Sequence, residues 1–185
     1  IQEYQGKQLS PFAKDYISSI SGPQDVDVAT YALLVDGLVE KPLSLTYGQV
    51  MALPSARRLV TLHCYDGWKE TLLFEGVRLA DLFAMAGVNP GVITVIFHAV
   101  DGYTSSLDLD FVTARDIIIA ASVNGITLNA VRGFPFQVVA EDKYGYKWVR
   151  WLSRIQLSDQ PYKGYTEAMG YSNSADVPES TKAGD

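Results

Sequence analysis

The sequence predicts one mixed α+β domain that contains more strand than helix. Its 185 residues, of which 48% are hydrophobic, suffice to build a sizeable core without disulfides. Alternating stretches and short, wholly apolar runs outnumber the stretches with helical spacing. We expect a single domain over residues 28–160, with an N-terminal extension (1–27) before it and a polar C-terminal tail (161–185) after it.

Three segments have the spacing and the end signals of short helices. Ser10 and Pro11 form an N-cap followed by proline at the first helical position, Thr46 can cap a second helix, and Gly87 ends a third. The predicted helices cover about residues 11–20, 45–53 and 77–87.

The other periodic segments are typical of strands. The predicted strands cover residues 31–39, 57–65, 92–100, 103–111, 116–123, 136–141 and 146–157. The pair Asn124-Gly125 is a strong hairpin signal, and Asp36-Gly37 indicates a turn. The strand over 57–65 would bring Cys64 to its end.

Charge and composition exclude several function classes. The net charge of −6, from 15 basic and 21 acidic residues, argues against a nucleic-acid partner. No apolar run reaches the roughly 18 residues of a membrane-spanning helix, so we expect no membrane span in this chain. A single cysteine allows no internal disulfide. Because the chain begins at Ile1, we expect a processed or trimmed form from which any leader has been removed.

The stretch TLHCYDGW, with the single cysteine, raises three alternatives. Zinc would need three or four protein ligands, and one cysteine with two histidines does not supply them at ligand-type spacing. In a strand, neighbouring side chains point to opposite faces, so His63 would not orient Cys64 as a nucleophile and His98 would have to do so. The third alternative is a small buried thiol without chemistry.

A local cluster of cations stands out in this acidic chain. Lys143, Lys147 and Arg150 fall within eight residues, interleaved with aromatic residues and close to Arg132. Lys and Arg are the usual phosphate binders, and Gly145 would allow a ligand to approach the backbone. In a regular strand, however, Lys147 and Arg150 would face opposite sides. The cluster therefore predicts either an anion site built on a bulge or turn, or a solvated strand face.

Several short motifs follow one another in a fixed order over residues 28–160. They read CYDGW, FEGVRLADLF, DGYTSSLDLD, NGITL and RGFPFQVVAEDKYGYKWVRWLSRIQLSD. Their order resembles that of the sulfite oxidase-type molybdopterin-binding oxidoreductase domains, in particular the haem-free branch that includes bacterial methionine-sulfoxide reductases. The resemblance implies the sulfite oxidase molybdopterin-binding fold and a molybdenum held by one molybdopterin dithiolene and one protein thiolate.

The resemblance also implies roles for individual residues. Cys64 would be the metal ligand, and a soft thiolate suits a metal that already has sulfur ligands. Asp66 and Tyr103 would be the other catalytic residues, Asp66 as a proton carrier and Tyr103 as a hydrogen-bond partner of the oxo group or the substrate. The residues that would bind the cofactor together with Cys64 are His98, Arg132, Gln137, Lys147, Trp148 and Arg150. Gln137 and Phe74 depart from the family, in which arginine and tryptophan are usual.

The implied chemistry is oxygen-atom transfer with a small oxo-donor or oxo-acceptor substrate. Electrons would be exchanged with a separate haem or quinol-linked protein. Because a carboxylate at Asp66 would repel an anion such as sulfite, we expect reduction of a small S-oxide or N-oxide rather than sulfite oxidation. The alternative is a binding or structural domain that retains the fold without the cofactor. Haem-free relatives are commonly exported, so we expect the periplasm or the outer cell face.

Overall fold

Two five-stranded sheets form the frame of the protein in a computed structural model, which describes residues 1–11 and 19–183. The strands are β1 (Glu3–Tyr4), β2 (Lys7–Gln8), β3 (Ala32–Gly37), β4 (Leu43–Thr46), β5 (Ser55–His63), β6 (Lys69–Arg78), β7 (Thr94–Ala99), β8 (Thr104–Asp108), β9 (Ile118–Val123), β10 (Ile126–Thr127), β11 (Gln137–Val139) and β12 (Leu152–Ser158). The helices are α1 (Tyr47–Met51), α2 (Leu79–Ala86), α3 (Leu109–Ala114), α4 (Tyr165–Ala168) and α5 (Glu179–Lys182), with a 3-10 helix at Gly145–Lys147. The predicted helix at 11–20 lies largely outside the described residues.

The two sheets differ in strand direction. The first has the order β4-β3-β12-β7-β8, in which β12 runs parallel to β3 and antiparallel to β7. The second has the order β10-β9-β6-β5, with β11 also paired to β9, and its pairs are antiparallel. Buried apolar side chains of both sheets form one cluster, so the core confirms a single α+β domain.

The end signals of two predicted helices are confirmed. Thr46 caps α1 in a reciprocal capping box with Gln49, which satisfies two backbone donors of the first turn. Gly87 ends α2 in the left-handed conformation, and its amide donates to the carbonyl of Phe83. The predicted hairpin at Asn124-Gly125 is also present: both residues have positive φ and connect β9 to β10.

Besides the short elements β1, β2, β4, α4 and α5, which were not predicted, three stretches differ from the predictions. The strand β6 was not predicted, because it lies between β5 and β9 and its burial pattern does not alternate. The predicted strand 103–111 ends at Asp108, where the chain turns into α3. The predicted strand 146–157 begins only at Leu152, because the chain first forms the 3-10 helix and then passes through Trp151 with a positive φ.

Residues beyond 160, which we expected to form a polar tail, contribute to the packed structure. The side chain of Glu167 in α4 is buried, and so are Ala175 and Val177. In the described part of the chain, no helix is long and apolar enough to cross a membrane.

The close contact between β6 and β9 gives a test of the second sheet. A Cβ atom at Gly76 would lie 1.9 Å from the carbonyl oxygen of Ile119, so Gly76→Ala must separate the two strands. We expect a loss of about 3 kcal/mol in the free energy of unfolding, measured by urea denaturation. The matched control is Gly48→Ala in α1, where a Cβ meets nothing within 4 Å. This control should be neutral or stabilising by about 0.5 kcal/mol; equal losses in both variants would contradict the strand contact.

Candidate functional site

A cavity of about 270 Å³ is the strongest candidate site in the described structure. Its volume is near the lower end of the range of about 300–1,000 Å³ for ligand pockets. It is lined by Ser19, Leu62, Cys64, Tyr65, Asp66, Trp68, Tyr103, Gly145, Tyr146, Trp148, Arg150, Tyr165, Thr166, Met169 and Tyr171. Three separate stretches converge here with Tyr103: the turn after β5, residues 145–150 and residues 165–171.

The turn of residues 64–68 positions the thiol. The β5–β6 hairpin pairs residue by residue up to His63 and Lys69, and the amide of Cys64 then donates to the carbonyl of Trp68 at 2.9 Å. Gly67 closes the turn with a positive φ and donates to the carbonyl of Cys64 at 3.0 Å. Cys64 is therefore partly exposed at the cavity instead of continuing the strand.

A carboxylate lies beside this thiol. Cys64 Sγ is 4.0 Å from Asp66 Oδ2, in the range of a weak hydrogen bond from the thiol. Asp66 itself is exposed at the surface of the turn. The site thus places a negative charge next to its thiol.

Tyr103 contributes a hydroxyl to the opposite side of the cavity. The hydroxyl donates to the carbonyl of Tyr146 at 2.6 Å and lies 2.9 Å from Thr166 Oγ1. Burial raises the pKa of Tyr103, so its hydroxyl stays protonated over the physiological pH range.

Arg150 is the cation that lines the cavity. Burial, and then the charge of nearby Arg132, lowers the pKa of Arg150 to about 10, while Glu70 opposes this shift. The guanidinium still carries its charge at neutral pH. It packs on Gly133, where an added Cβ would lie 2.7 Å from Arg150 Cβ. A larger residue at 133 would displace this side chain.

Trp148 is the aromatic neighbour of Arg150 in the cavity. Its indole nitrogen donates to the carbonyl of Lys143 at 3.0 Å. Its ring packs against Phe74 with 5.7 Å between the ring centroids. Phe74 therefore supports Trp148 without lining the cavity itself.

The remaining predicted cations do not converge on the cavity. Lys147 is completely buried and pairs with Glu167 at 2.5 Å, and it donates to the carbonyl of Ser106 at 2.9 Å. Lys147 is the last residue of the 3-10 helix, and its side chain points into the interior. Arg132 pairs with buried Glu70 at 3.2 Å.

Two further predicted cofactor residues also lie away from the cavity lining. His98 in β7 is half-buried, and its Nε2 lies 3.0 Å from Gln156 Oε1. Burial lowers the pKa of His98, which favours the neutral ring. Gln137 is buried in β11, opposite Ala120 of β9. The structure thus brings Cys64, Asp66, Tyr103, Trp148 and Arg150 together at the cavity.

Several lining residues were not predicted from the sequence. Tyr65 and Tyr146 lie within or beside quoted motifs, so their positions could have suggested a contribution. The residues from the C-terminal part of the chain are Tyr165, Thr166, Met169 and Tyr171. No periodicity marks them, because α4 is a single turn whose role depends on tertiary contacts.

The side chains near Cys64 bear on the two catalytic alternatives raised by the sequence, a zinc site and a Cys–His nucleophile. Within the described residues, no group of three His, Cys, Asp or Glu side chains is placed to hold a metal ion, which speaks against zinc. The bond of His98 to Gln156 leaves this histidine engaged away from Cys64, which speaks against a Cys–His pair. What the cavity offers is one thiol, one buried cation and the backbone of Gly145, where an added Cβ would meet only His63 O at 3.8 Å. This set fits a sulfur-ligated metal whose organic ligand carries an anionic group.

Several known proteins are similar to this chain. The family model described as "Oxidoreductase molybdopterin binding domain" matches residues 20–166. An uncharacterized oxidoreductase (YuiH) of Bacillus subtilis is 34% identical over 80% of this chain and 76% of its own length. A putative protein-methionine-sulfoxide reductase subunit (YedZ1) of Azospira oryzae is 28% identical over 80% of this chain and 56% of its own length.

A solved structure supports the fold. The sulfane dehydrogenase SoxCD from Paracoccus pantotrophus superposes with a TM-score of 0.72 at 25% identity. The match covers 76% of this chain and 41% of that chain. The chain therefore spans about three quarters of the first relative, but only about half or less of the second relative and of the solved chain.

The buried ion pair of Glu70 and Arg132, which lies near Arg150, gives a test of the electrostatics of the site. Glu70→Gln removes the carboxylate that pairs with Arg132 and leaves two buried guanidinium groups close together. We expect a loss of about 3 kcal/mol in unfolding free energy. The control Asp36→Asn removes a half-exposed partner of Arg154 at 2.9 Å and should cost less than about 1 kcal/mol. Similar losses in chemical denaturation would show that burial of the first pair is not decisive.

Proposed function

The chain belongs to the oxidoreductase molybdopterin-binding domain family, and we propose that it reduces a small S-oxide or N-oxide by oxygen-atom transfer. Molybdopterin is the cofactor of this family of oxidoreductases. The observation that carries the choice of substrate is the Asp66 carboxylate, 4.0 Å from the thiol of Cys64. It makes the approach of an anion unfavourable next to the thiol that would hold the metal.

Several residues of the cavity would bind the cofactor. Cys64 would supply the single thiolate ligand of the metal. Arg150 would bind an anionic oxygen of the pterin, beside the indole of Trp148 and the open backbone of Gly145. When bound, the cofactor supplies two-electron oxygen-atom chemistry; the chain's own residues select and orient the substrate.

The charge of Asp66 discriminates between substrates. At 4 Å, two unit charges repel by about 1 kcal/mol in water and by about 4 kcal/mol at an effective dielectric constant of 20. Asp66 is exposed, so the smaller value is the closer one, and a doubly charged anion would feel about twice the effect. A neutral oxide avoids this repulsion. Its reduction consumes two protons and two electrons and releases water, and Asp66, which is exposed to solvent, would take up one of these protons from water and pass it on.

Tyr103 would bind the oxygen of the substrate. Its hydroxyl has one proton, which it donates to the carbonyl of Tyr146 in the structure. Rotation of the hydroxyl about its C–O bond would redirect this proton into the cavity, while Thr166 can donate in turn to the Tyr103 oxygen. The raised pKa of Tyr103 keeps the proton available for a hydrogen bond.

The proposed reaction needs an electron donor, which we expect to be a separate protein. The related Azospira oryzae protein is described as a subunit, which supports a separate electron-transfer protein for this chain as well. We propose a haem or quinol-linked partner that meets the protein in the periplasm or at the outer cell face.

Metal analysis tests the cofactor assignment. Protein produced in a molybdate-replete, cofactor-competent host should contain about one molybdenum per chain, and Cys64→Ala should lose most of it because the thiolate ligand is gone. The measurement is elemental analysis of folded, desalted protein. Absence of molybdenum from both proteins would favour the cofactor-free alternative.

Two further variants separate cavity residues from predicted residues outside it. Arg150→Met should lower cofactor retention about tenfold, since a charge-assisted bond to an anionic oxygen is lost. His98→Asn should retain the cofactor, because His98 contacts Gln156 and does not line the cavity. The readout is pterin released on denaturation, measured by fluorescence. Loss in His98→Asn alone would contradict the assigned site.

Steady-state kinetics test the direction of the reaction. Wild-type protein should reduce dimethyl sulfoxide with an artificial electron donor and oxidise sulfite poorly. Asp66→Asn should lower kcat for the sulfoxide and raise kcat/KM for sulfite about tenfold, because the variant removes both the proton donor and the repulsion. Efficient sulfite oxidation by the wild-type enzyme would contradict the proposal.

A further inference from the structure

Residues 164–171, called here the C-terminal wall, form one side of the cavity. Tyr165, Thr166, Met169 and Tyr171 line it from this segment. Across the mouth, Tyr65 from the turn after β5 meets Tyr171 edge-on, with 5.3 Å between the ring centroids. The width of the entrance therefore depends on where the C-terminal wall lies relative to the turn that carries Cys64.

The C-terminal wall is fastened to β8 through its backbone. A Cβ atom at Gly164 would lie 2.2 Å from the carbonyl oxygen of Thr104, so the two chains pass each other at a distance that only glycine permits. Just before the wall, Tyr162 is held from the same strand: its hydroxyl lies 3.0 Å from Thr104 Oγ1, and its carbonyl accepts from Ser106 at 2.8 Å.

Glu167 fastens the C-terminal wall through its side chain. This buried carboxylate accepts from Ser105 Oγ at 2.5 Å and pairs with Lys147 at 2.5 Å. Glu167 thus links three elements: α4, β8 and the 3-10 helix. Its neighbour Thr166 contacts the Tyr103 hydroxyl at 2.9 Å. This single helical turn therefore directs Glu167 into the core and Tyr165 and Thr166 toward the cavity.

From this arrangement we infer that the C-terminal wall sets the size of substrate that reaches Cys64, and that Glu167 is the positioning residue that holds the wall closed. Met169 and Tyr171 are the size-limiting side chains, since both are well exposed at the entrance. The inference rests on the proposed function in treating Cys64 as the reacting end of the cavity. Its consequence is selection for slender oxides over bulky ones.

Cys64 itself provides a test that needs no cofactor. Because the chain has a single cysteine, the rate of thiol labelling of the metal-free protein reports access to the cavity. The measured quantity is the ratio of the rates with a bulky reagent, fluorescein maleimide, and a small one, iodoacetamide, each divided by its rate with free cysteine. We expect this ratio to be well below one in the wild-type protein.

Variants of the wall and of its anchor should raise the ratio. Met169→Ala and Tyr171→Ala should raise it about fivefold, by widening the entrance. Glu167→Gln should raise it about tenfold, because loss of one partner of a buried ion pair increases the population of open states. The matched control is Glu179→Gln, which removes an exposed Glu–Lys pair at 2.7 Å in the same part of the chain and should leave the ratio unchanged.

Two precautions keep the test decisive. If Glu167→Gln fails to fold, two other variants still test the inference. The double variant Lys147→Met/Glu167→Gln removes both charges of the buried ion pair, and Met169→Ala changes the entrance while Glu167 stays in place. A wild-type ratio near one, or a ratio that no wall variant changes, would overturn the inference.

In the loaded enzyme, Met169→Ala should raise kcat/KM for methyl phenyl sulfoxide more than for dimethyl sulfoxide. An enzyme that reduces neither would refute the proposed function, while the labelling result would still decide the role of the wall.

Discussion

The burial of several cations within a short part of the chain is the constraint on which the cavity depends. An ammonium or guanidinium group removed from water needs a carboxylate partner. Glu70 of β6 serves Arg132, and Glu167 of α4 serves Lys147. Because Glu167 comes from beyond residue 160, its pairing draws a segment of small, polar composition onto the core. The C-terminal side of the cavity is a consequence of this charge compensation.

The position of the thiol depends on a second constraint, the register of the β5–β6 hairpin. Nine residue pairs hold this register, and a slip by one residue would turn the side chain of His63 outward and move Cys64 to the other face. The buried apolar residues of both strands oppose such a slip. The turn then ends the ladder at the point where Cys64 and Asp66 face the cavity, so sheet pairing and site geometry have the same origin.

The parts that could be predicted from the sequence are those with local causes. Caps, glycine ends and the Asn124-Gly125 hairpin follow from backbone chemistry within a few residues. The motif order predicted the family and placed Cys64, Asp66 and Arg150 in the set of site residues. The interior position of Lys147 could not be predicted, because the strand assigned to 146–157 gave no reason for a 3-10 helix. The wall residues were missed because they contact residues that are distant along the chain, such as Tyr103 for Thr166 and Ser105 for Glu167.

The distribution of charge inside the cavity argues for a neutral substrate. Among the cations of residues 132–150, Arg132, Lys143 and Lys147 each pair with a carboxylate, and Arg150 faces the cavity. An anionic cofactor oxygen would occupy Arg150 and leave Asp66 as the charged group nearest the thiol. Among the described residues that line the cavity, a substrate anion would then meet the carboxylate of Asp66 and no second Lys or Arg, whereas a dipolar oxide needs only the hydrogen bond that Tyr103 can donate. The proposed binding of the cofactor by Arg150 thereby favours oxide reduction over the oxidation of anions.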